Sequence, residues 1–272
     1  MSGAGGRLAA LGRACHPLPT VAVTLIAGAF AFILGWRGLP LAGVGACVLA
    51  GQLSVGWAND ARDADADRAA GRTAKPVVAG LVAPRTLWAL AVAALLVAVA
   101  LSWLVAGWTG GSFHVLALAA AWAYNLGLAR TPWSWLPYAI AFGCLPPFLT
   151  VGLDGSAPPP WLPLAFALTA VGGHLANALP DIGHDRAAGL DGLAVRLGPR
   201  RATGLAWLLL AVGTGIVALA SSTAAAWAAA ALVAIYAVAA ITARARRVGT
   251  FHALVAVVVA DAAAIAIAAA TG

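Results

Sequence analysis

The sequence predicts an all-α, polytopic membrane protein of about nine transmembrane helices. Three observations carry that prediction. Apolar runs of membrane-crossing length recur from end to end. Of the 272 residues, 62% are hydrophobic and only 9% charged, with a mean hydropathy of +0.93. One aspartate-rich pattern also occurs twice, each time where an apolar run ends. A typical soluble domain carries about 25% charged residues, so composition alone points to lipid. A helix of roughly 17 to 25 apolar residues crosses the hydrocarbon core.

The runs, in order, are 17–36, 41–58, 87–108, 113–129, 135–151, 161–179, 202–220, 223–242 and 251–270. The segment ahead of the first is Gly- and Ala-rich, and that run lacks a clear small-residue cleavage site. It therefore reads as a spanning helix rather than a removed signal peptide. Abundant Gly and Ala suit close helix packing in lipid. Connections on one side are long, 59–86 and 180–201. Those on the other are short, 109–112 and 221–222, with 152–160 the one longer stretch. A long connection is more often functional than a short one.

The net charge of +7 invites a nucleic-acid partner, but its distribution argues against one. Of the 16 Lys and Arg, all but Arg37 fall in alternate connections. The positive-inside rule makes that side cytoplasmic, with the N-terminus inside. The expectation is a multi-pass plasma (inner) membrane protein in contact with membrane lipids, its long loops cytoplasmic. Arg244, Arg246 and Arg247 read as a topology signal or an anionic-lipid contact. Cys15, Cys47 and Cys144 show no paired or metal-ligand spacing and read as small buried residues.

Asn59, Asp63 and Asp67 spell N-x-x-x-D-x-x-x-D, and Asn177, Asp181 and Asp185 repeat it 118 residues further on. All nine acidic residues of the chain are Asp. The spacing predicts that each triplet occupies one helix face, on a helix continuing out of the membrane. Two such faces opposed need cations. Hard divalent ions, Mg2+ above all, and a metal-bridged anion such as a diphosphate meet that need. The repeat predicts two pseudo-repeated four-helix units plus one further helix, together forming a single integral-membrane domain, 1–272.

The first motif is followed by Arg72-Thr73-Ala74-Lys75-Pro76 and then Gly80. The second is followed by Gly189 and by Leu193-Ala194-Val195-Arg196-Leu197-Gly198. Arg13-Ala14-Cys15-His16-Pro17 precedes the first span. In these residues the chain resembles the UbiA family of intramembrane prenyltransferases. The resemblance implies that Asn59, Asp63, Asp67, Asp181 and Asp185 are ligands of Mg2+ ions that hold a polyprenyl diphosphate. It makes Asp63, Asp67, Asp181 and Asp185 the catalytic carboxylates, and Asn177 matches the same pattern. Arg72, Lys75 and Arg130 are candidates for the phosphate oxygens, Arg as a bidentate fork and Lys as a point charge. One position departs. After the fourth span relatives carry Tyr and then Lys-Arg, whereas here Tyr124 is followed by Ala129-Arg130. Either Arg130 takes over the phosphate role or the acceptor site differs.

Polar residues within spans have two readings. His174, three residues before Asn177, is either a substrate contact or a satisfied interior histidine; Gln52 and Asn125 are similar. Trp57 and Tyr124 either shield a carbocation with their ring faces or pack. Asp261 lies midway along the ninth run, where a charged carboxylate costs about 2.5–3.5 kcal/mol on insertion scales. The leading function is transfer of a prenyl group from its diphosphate to a small aromatic acceptor. The alternative is a membrane terpene cyclase with no acceptor. A small transporter would spread ionisable residues through its spans, whereas here they gather at one face.

Overall fold

The computed structural model describes residues 4–187 and 189–221, with isolated positions 227, 231 and 234. Among them all regular structure is helical. The ninth expected span, nearly all of the eighth, and with them Asp261, Arg244, Arg246 and Arg247, lie outside the described residues. Five helical segments among the described residues are long and apolar enough to cross a membrane, one of them the 136–154 stretch. The chain forms two compact units, Met1–Leu126 and Gly127–Gly272.

The first unit holds α1 (Ala4–Ala14), α2 (Pro17–Leu34), α3 (Gly38–Ala69) and α4 (Pro84–Leu126). Pro17 opens α2, where its missing N–H is no loss. Gly35, at φ 114°, ends that helix. At 1.5 Å per residue α3 is ~48 Å long, well beyond the ~30 Å hydrocarbon core. Its apolar part is long enough to span, and its last turns, carrying the first motif, extend beyond that length. Gly71, at φ 67°, stops it: the Gly71 N–H returns to the Arg68 carbonyl and the Arg72 N–H to that of Asp67. Val77, Val82 and Leu87 then bury themselves against Ala10, Ala14, Ala61 and Ala64. That cluster folds the 70–83 connection back over α1 and α3.

The third and fourth expected spans form one hairpin within α4. Gly107, at φ 68° and ψ 176°, breaks the helix a little before the expected 109–112 turn. Ser102 Oγ lies 2.7 Å from His114 Nδ1, a contact that a straight helix, rising ~18 Å over twelve residues, forbids. A Cβ on Gly111 would stand 2.5 Å from the Ser102 carbonyl oxygen, so only glycine lets the legs approach this closely. Cys47 of α3 joins at 3.1 Å from His114 Nδ1, which settles it as a buried packing residue.

The second unit holds a 3₁₀ turn (Leu128–Arg130), α5 (Leu136–Gly143), α6 (Leu145–Asp154), α7 (Trp161–Ala178), α8 (Ile182–Ala187) and α9 (Leu193–Ser221). The fifth span divides into α5 and α6 at Cys144 because Pro146 and Pro147 supply no N–H to the preceding turn. Gly198, at φ 73°, and Pro199 bend α9, so the expected 202–220 span is preceded by a helical turn over 193–197. Leu175, Ala176, Ile182, Ala194, Ala206 and Leu210 form the core between α7, α8 and α9.

Candidate active site

The first motif lies on α3 as its spacing predicts. At about 100° per residue, Asn59, Asp63 and Asp67 climb one stripe. Asn59 Nδ2 donates to Asp63 Oδ2 at 3.4 Å and to Asn125 Oδ1 at 3.4 Å. Asn125 is buried and donates to the Val55 carbonyl at 2.8 Å, so it orients Asn59. Trp122 donates to Ser54 Oγ at 2.9 Å and fixes the same leg of α4 on α3. Tyr124, half-buried, sits on the last turn of that leg.

Asp67 is nearly enclosed, with 3% of its side chain exposed, and two cations hold it. Arg72 Nη1 lies 3.0 Å from Oδ1 and Lys75 Nζ 2.7 Å from Oδ2. Arg72 owes its place to the Gly71 stop, and Lys75 to the fold-back of the connection. Lys75 also donates to Asp60 Oδ1 at 2.8 Å, and His16 Nε2 lies 3.1 Å from the same oxygen. Burial pulls the Lys75 pKa down, but hydrogen bonds to Asp60 and Asp67 outweigh it, and the ammonium is held charged above its usual range. Asp60 and His16 are the site residues that motif reading passes over. The available signal was arithmetic: Asp60 precedes Asp67 by seven residues, which returns it to within about 20° of the same face.

Trp57 donates its indole N–H to the Leu11 carbonyl at 3.0 Å, and its ring packs into the α1–α3 cluster. Its place is that of a packing residue.

The second motif departs from expectation, since its triplet does not ride one helix. Pro180 interrupts it: without an N–H it cannot continue the helical ladder, and α7 ends at Ala178. Asn177 is exposed on the last turn of α7. Asp181 is exposed in the break, and its carbonyl accepts the Asp185 N–H at 2.8 Å. Asp185, half-buried, lies on α8.

The loop after this motif is anchored at several points. Arg186 Nη2 donates to the Val195 carbonyl at 2.8 Å. The Asp191 N–H donates to the Arg130 carbonyl at 3.3 Å. A Cβ on Gly192 would stand 3.1 Å from the Ala129 carbonyl oxygen. Positions 129–130, where relatives carry Lys-Arg, thus dock against the loop that follows the second motif. The Arg130 residue itself is exposed. Arg196 grips Asp191 with two hydrogen bonds, 2.8 and 2.6 Å, and the guanidinium holds that carboxyl below its usual range.

His174 is 5% exposed, stacks on Tyr138 at 4.4 Å between centroids, and places Nε2 3.1 Å from Ser134 Oγ. The same hydroxyl accepts the Leu193 N–H at 3.1 Å. These contacts enclose the His174 ring, and Ser134 is a further residue the sequence does not point to.

The profile of the UbiA prenyltransferase family matches residues 17–250. The chain belongs to this family. Its fold is similar to that of a UbiA homologue from Aeropyrum pernix K1 in its apo form, with a TM-score of 0.70 and 24% identity over 90% of this chain and 96% of that one. A UbiA homologue from Archaeoglobus fulgidus bound to DMAPP and Mg2+ gives a TM-score of 0.71 at 18% identity, covering 94% and 99%. A digeranylgeranylglyceryl phosphate synthase gives 0.71 at 12% identity, covering 97% and 98%. At these identities the likeness is one of fold. No curated protein matches the chain. As a UbiA-family member with five such helices among its described residues, it is a multi-pass membrane protein.

Proposed function

We propose that this protein is a Mg2+-dependent intramembrane prenyltransferase, which ionises a polyprenyl diphosphate and transfers the prenyl group to a small aromatic acceptor. The reading treats residues 1–272 as one domain of nine spans in two pseudo-repeats plus one helix, with both motifs cytoplasmic. The observation that carries it is the stripe of Asn59, Asp63 and Asp67 at the polar end of a membrane-length helix, beside Arg72 and Lys75. The Archaeoglobus homologues, whose structures hold DMAPP or GPP with Mg2+, support the substrate class.

The donor set suits magnesium. Asn59, Asp63, Asp67, Asp181 and Asp185 offer hard oxygen ligands and no sulfur or imidazole. Among the described residues no three His, Cys, Asp or Glu side chains converge to hold an ion alone. Magnesium commonly takes one or two carboxylates together with substrate phosphates, so this is compatible with the assignment. When bound, it neutralises charge on the departing diphosphate.

The chain's own groups do the rest. Arg72 and Arg130 bring guanidinium forks to the phosphate oxygens, while Lys75 remains committed to carboxylates. The carbon–oxygen bond breaks with its electron pair leaving on the diphosphate. The acceptor attacks the allylic cation and then loses a proton. Preorganised charge at the leaving group lowers the barrier. The test is product analysis of purified protein with Mg2+ and prenyl diphosphates of graded length, with and without aromatic acceptors. Prenylated acceptor is the expected product. A cyclised hydrocarbon or alcohol formed without acceptor would favour the cyclase, which Ala129 in place of the usual Lys also fits. Absence of diphosphate release under all conditions would overturn both.

A further inference from the structure

The segment ahead of the first span is pressed onto α3 in an unusual way. His16 is the one non-glycine residue with positive φ among those described, at 56°. A residue held there costs of order 1–3 kcal/mol and persists only where its surroundings over-determine it. They do so here. The Cys15 carbonyl lies against Gly56, where a Cβ would stand 2.4 Å from the oxygen. Thr20 Oγ1 donates to the same carbonyl at 2.7 Å. One turn after Gly56, the His16 ring meets Asp60. A carboxylate only accepts hydrogen bonds, so both His16 Nε2 and Lys75 Nζ donate to Asp60 Oδ1. The Asp60 side chain is 2% exposed.

Lys75 is therefore shared between two carboxylates about two turns apart on α3, 2.8 Å from Asp60 and 2.7 Å from Asp67. Arg72 also rests on Asp67. If Asp60 lost its charge, Lys75 and Arg72 would both bear on Asp67 alone. Two cations against one carboxylate would weaken it as a ligand for a third cation.

We propose that Asp60 is a positioning residue of the diphosphate site, sharing the Lys75 ammonium with Asp67 so that Asp67 remains available to a divalent cation. This rests on the assignment of Asp67 as a metal ligand. His16 and the strained backbone at that residue hold Asp60 in place.

The test reads metal binding without turnover. Mn2+ is titrated into purified protein in detergent saturated with a non-ionisable prenyl diphosphate analogue, against a protein-free control, and free Mn2+ is followed by electron paramagnetic resonance. Asp60→Asn, nearly isosteric, is expected to weaken Mn2+ binding by about five- to tenfold with little change in Tm. Asp60→Asn/Lys75→Met is expected to restore it to within about twofold of wild type, because the competing cation is gone. A structural role for Asp60 would give no such rescue. Asp60→Glu, which keeps the charge, should stay near wild type and supplies a second reading if Asp60→Asn folds poorly. Unchanged binding in folded Asp60→Asn, or no rescue in the double variant, would overturn the inference and leave the site assignment standing. No Mn2+ binding by wild type would overturn the site assignment, and the inference with it.

Discussion

The Cys15 carbonyl oxygen rests on Gly56 so closely that a Cβ at that position would stand 2.4 Å from it, and 2.7 Å from its carbon. Both are backbone atoms and neither moves without shifting the whole α1–α2 junction. Gly56→Ala should destabilise by about 1–3 kcal/mol, as overpacking does, and should lower activity through the displaced His16. Gly204→Ala, on α9 with nothing within 4 Å of the added carbon, is the matched control. Thermal unfolding in detergent compares them; equal Tm values would show that the junction relaxes freely.

The carboxylates of the two motifs should act as one unit. Asp63→Ala and Asp181→Ala are each expected to cut kcat by about a hundredfold or more while the protein stays monodisperse. The double variant should be little worse than either alone, because groups serving one step are not additive. Single-turnover kinetics decides. Near-wild-type turnover in either single variant would make that motif an ordinary polar loop.

Arg130 follows α4, and its carbonyl accepts the Asp191 N–H from the loop after the second motif, so its side chain can be altered without removing that backbone anchor. Arg130→Ala should lower kcat/KM at least about tenfold, a typical loss for one charged hydrogen bond, and Arg130→Lys should recover part, a point charge replacing a fork. Ala129→Lys, which restores the residue relatives carry, should tighten diphosphate binding or leave it unchanged. Wild-type kinetics in Arg130→Ala would leave Arg72 as the cation for the phosphate.

Ser134 Oγ serves both His174 and the Leu193 N–H. Ser134→Ala removes the partner of the buried His174 ring and of the half-buried Leu193 N–H, at about 1–3 kcal/mol for an unsatisfied buried donor or acceptor. It should also loosen the 186–196 loop, seen as faster proteolysis after Arg186 or Arg196 by trypsin. Unchanged cleavage and Tm would show that the hydroxyl holds nothing.

Orientation can be read directly. A reporter fused after Thr73 should be cytoplasmic and one within 156–159 exterior, as the distribution of Lys and Arg requires. The same side for both would break the proposed alternation.

Much of this protein was legible in its sequence, for reasons that are local. Hydropathy placed the apolar helices that end at Leu34 and break after Ala106, since the length and apolarity of each segment are decided by its own composition. Spacing placed Asn59, Asp63 and Asp67 on one stripe because α3 runs unbroken through them. The same spacing misled at Asp181, where Pro180 removes a backbone donor and the helix yields to that single residue. Other features are not local. His16 and Asp60 are 44 residues apart, and Ser134 and Leu193 are 59. No periodicity links such pairs. The first forms because Gly56 lets one backbone lie on another, the second because α5 and α9 both pack on α7. The sequence by itself determined which residues carry the charge and which of the described helices are long and apolar enough to cross a membrane. Only the tertiary structure decided which carboxylate each cation neutralises, because that depends on side chains brought together by packing between helices distant in the chain.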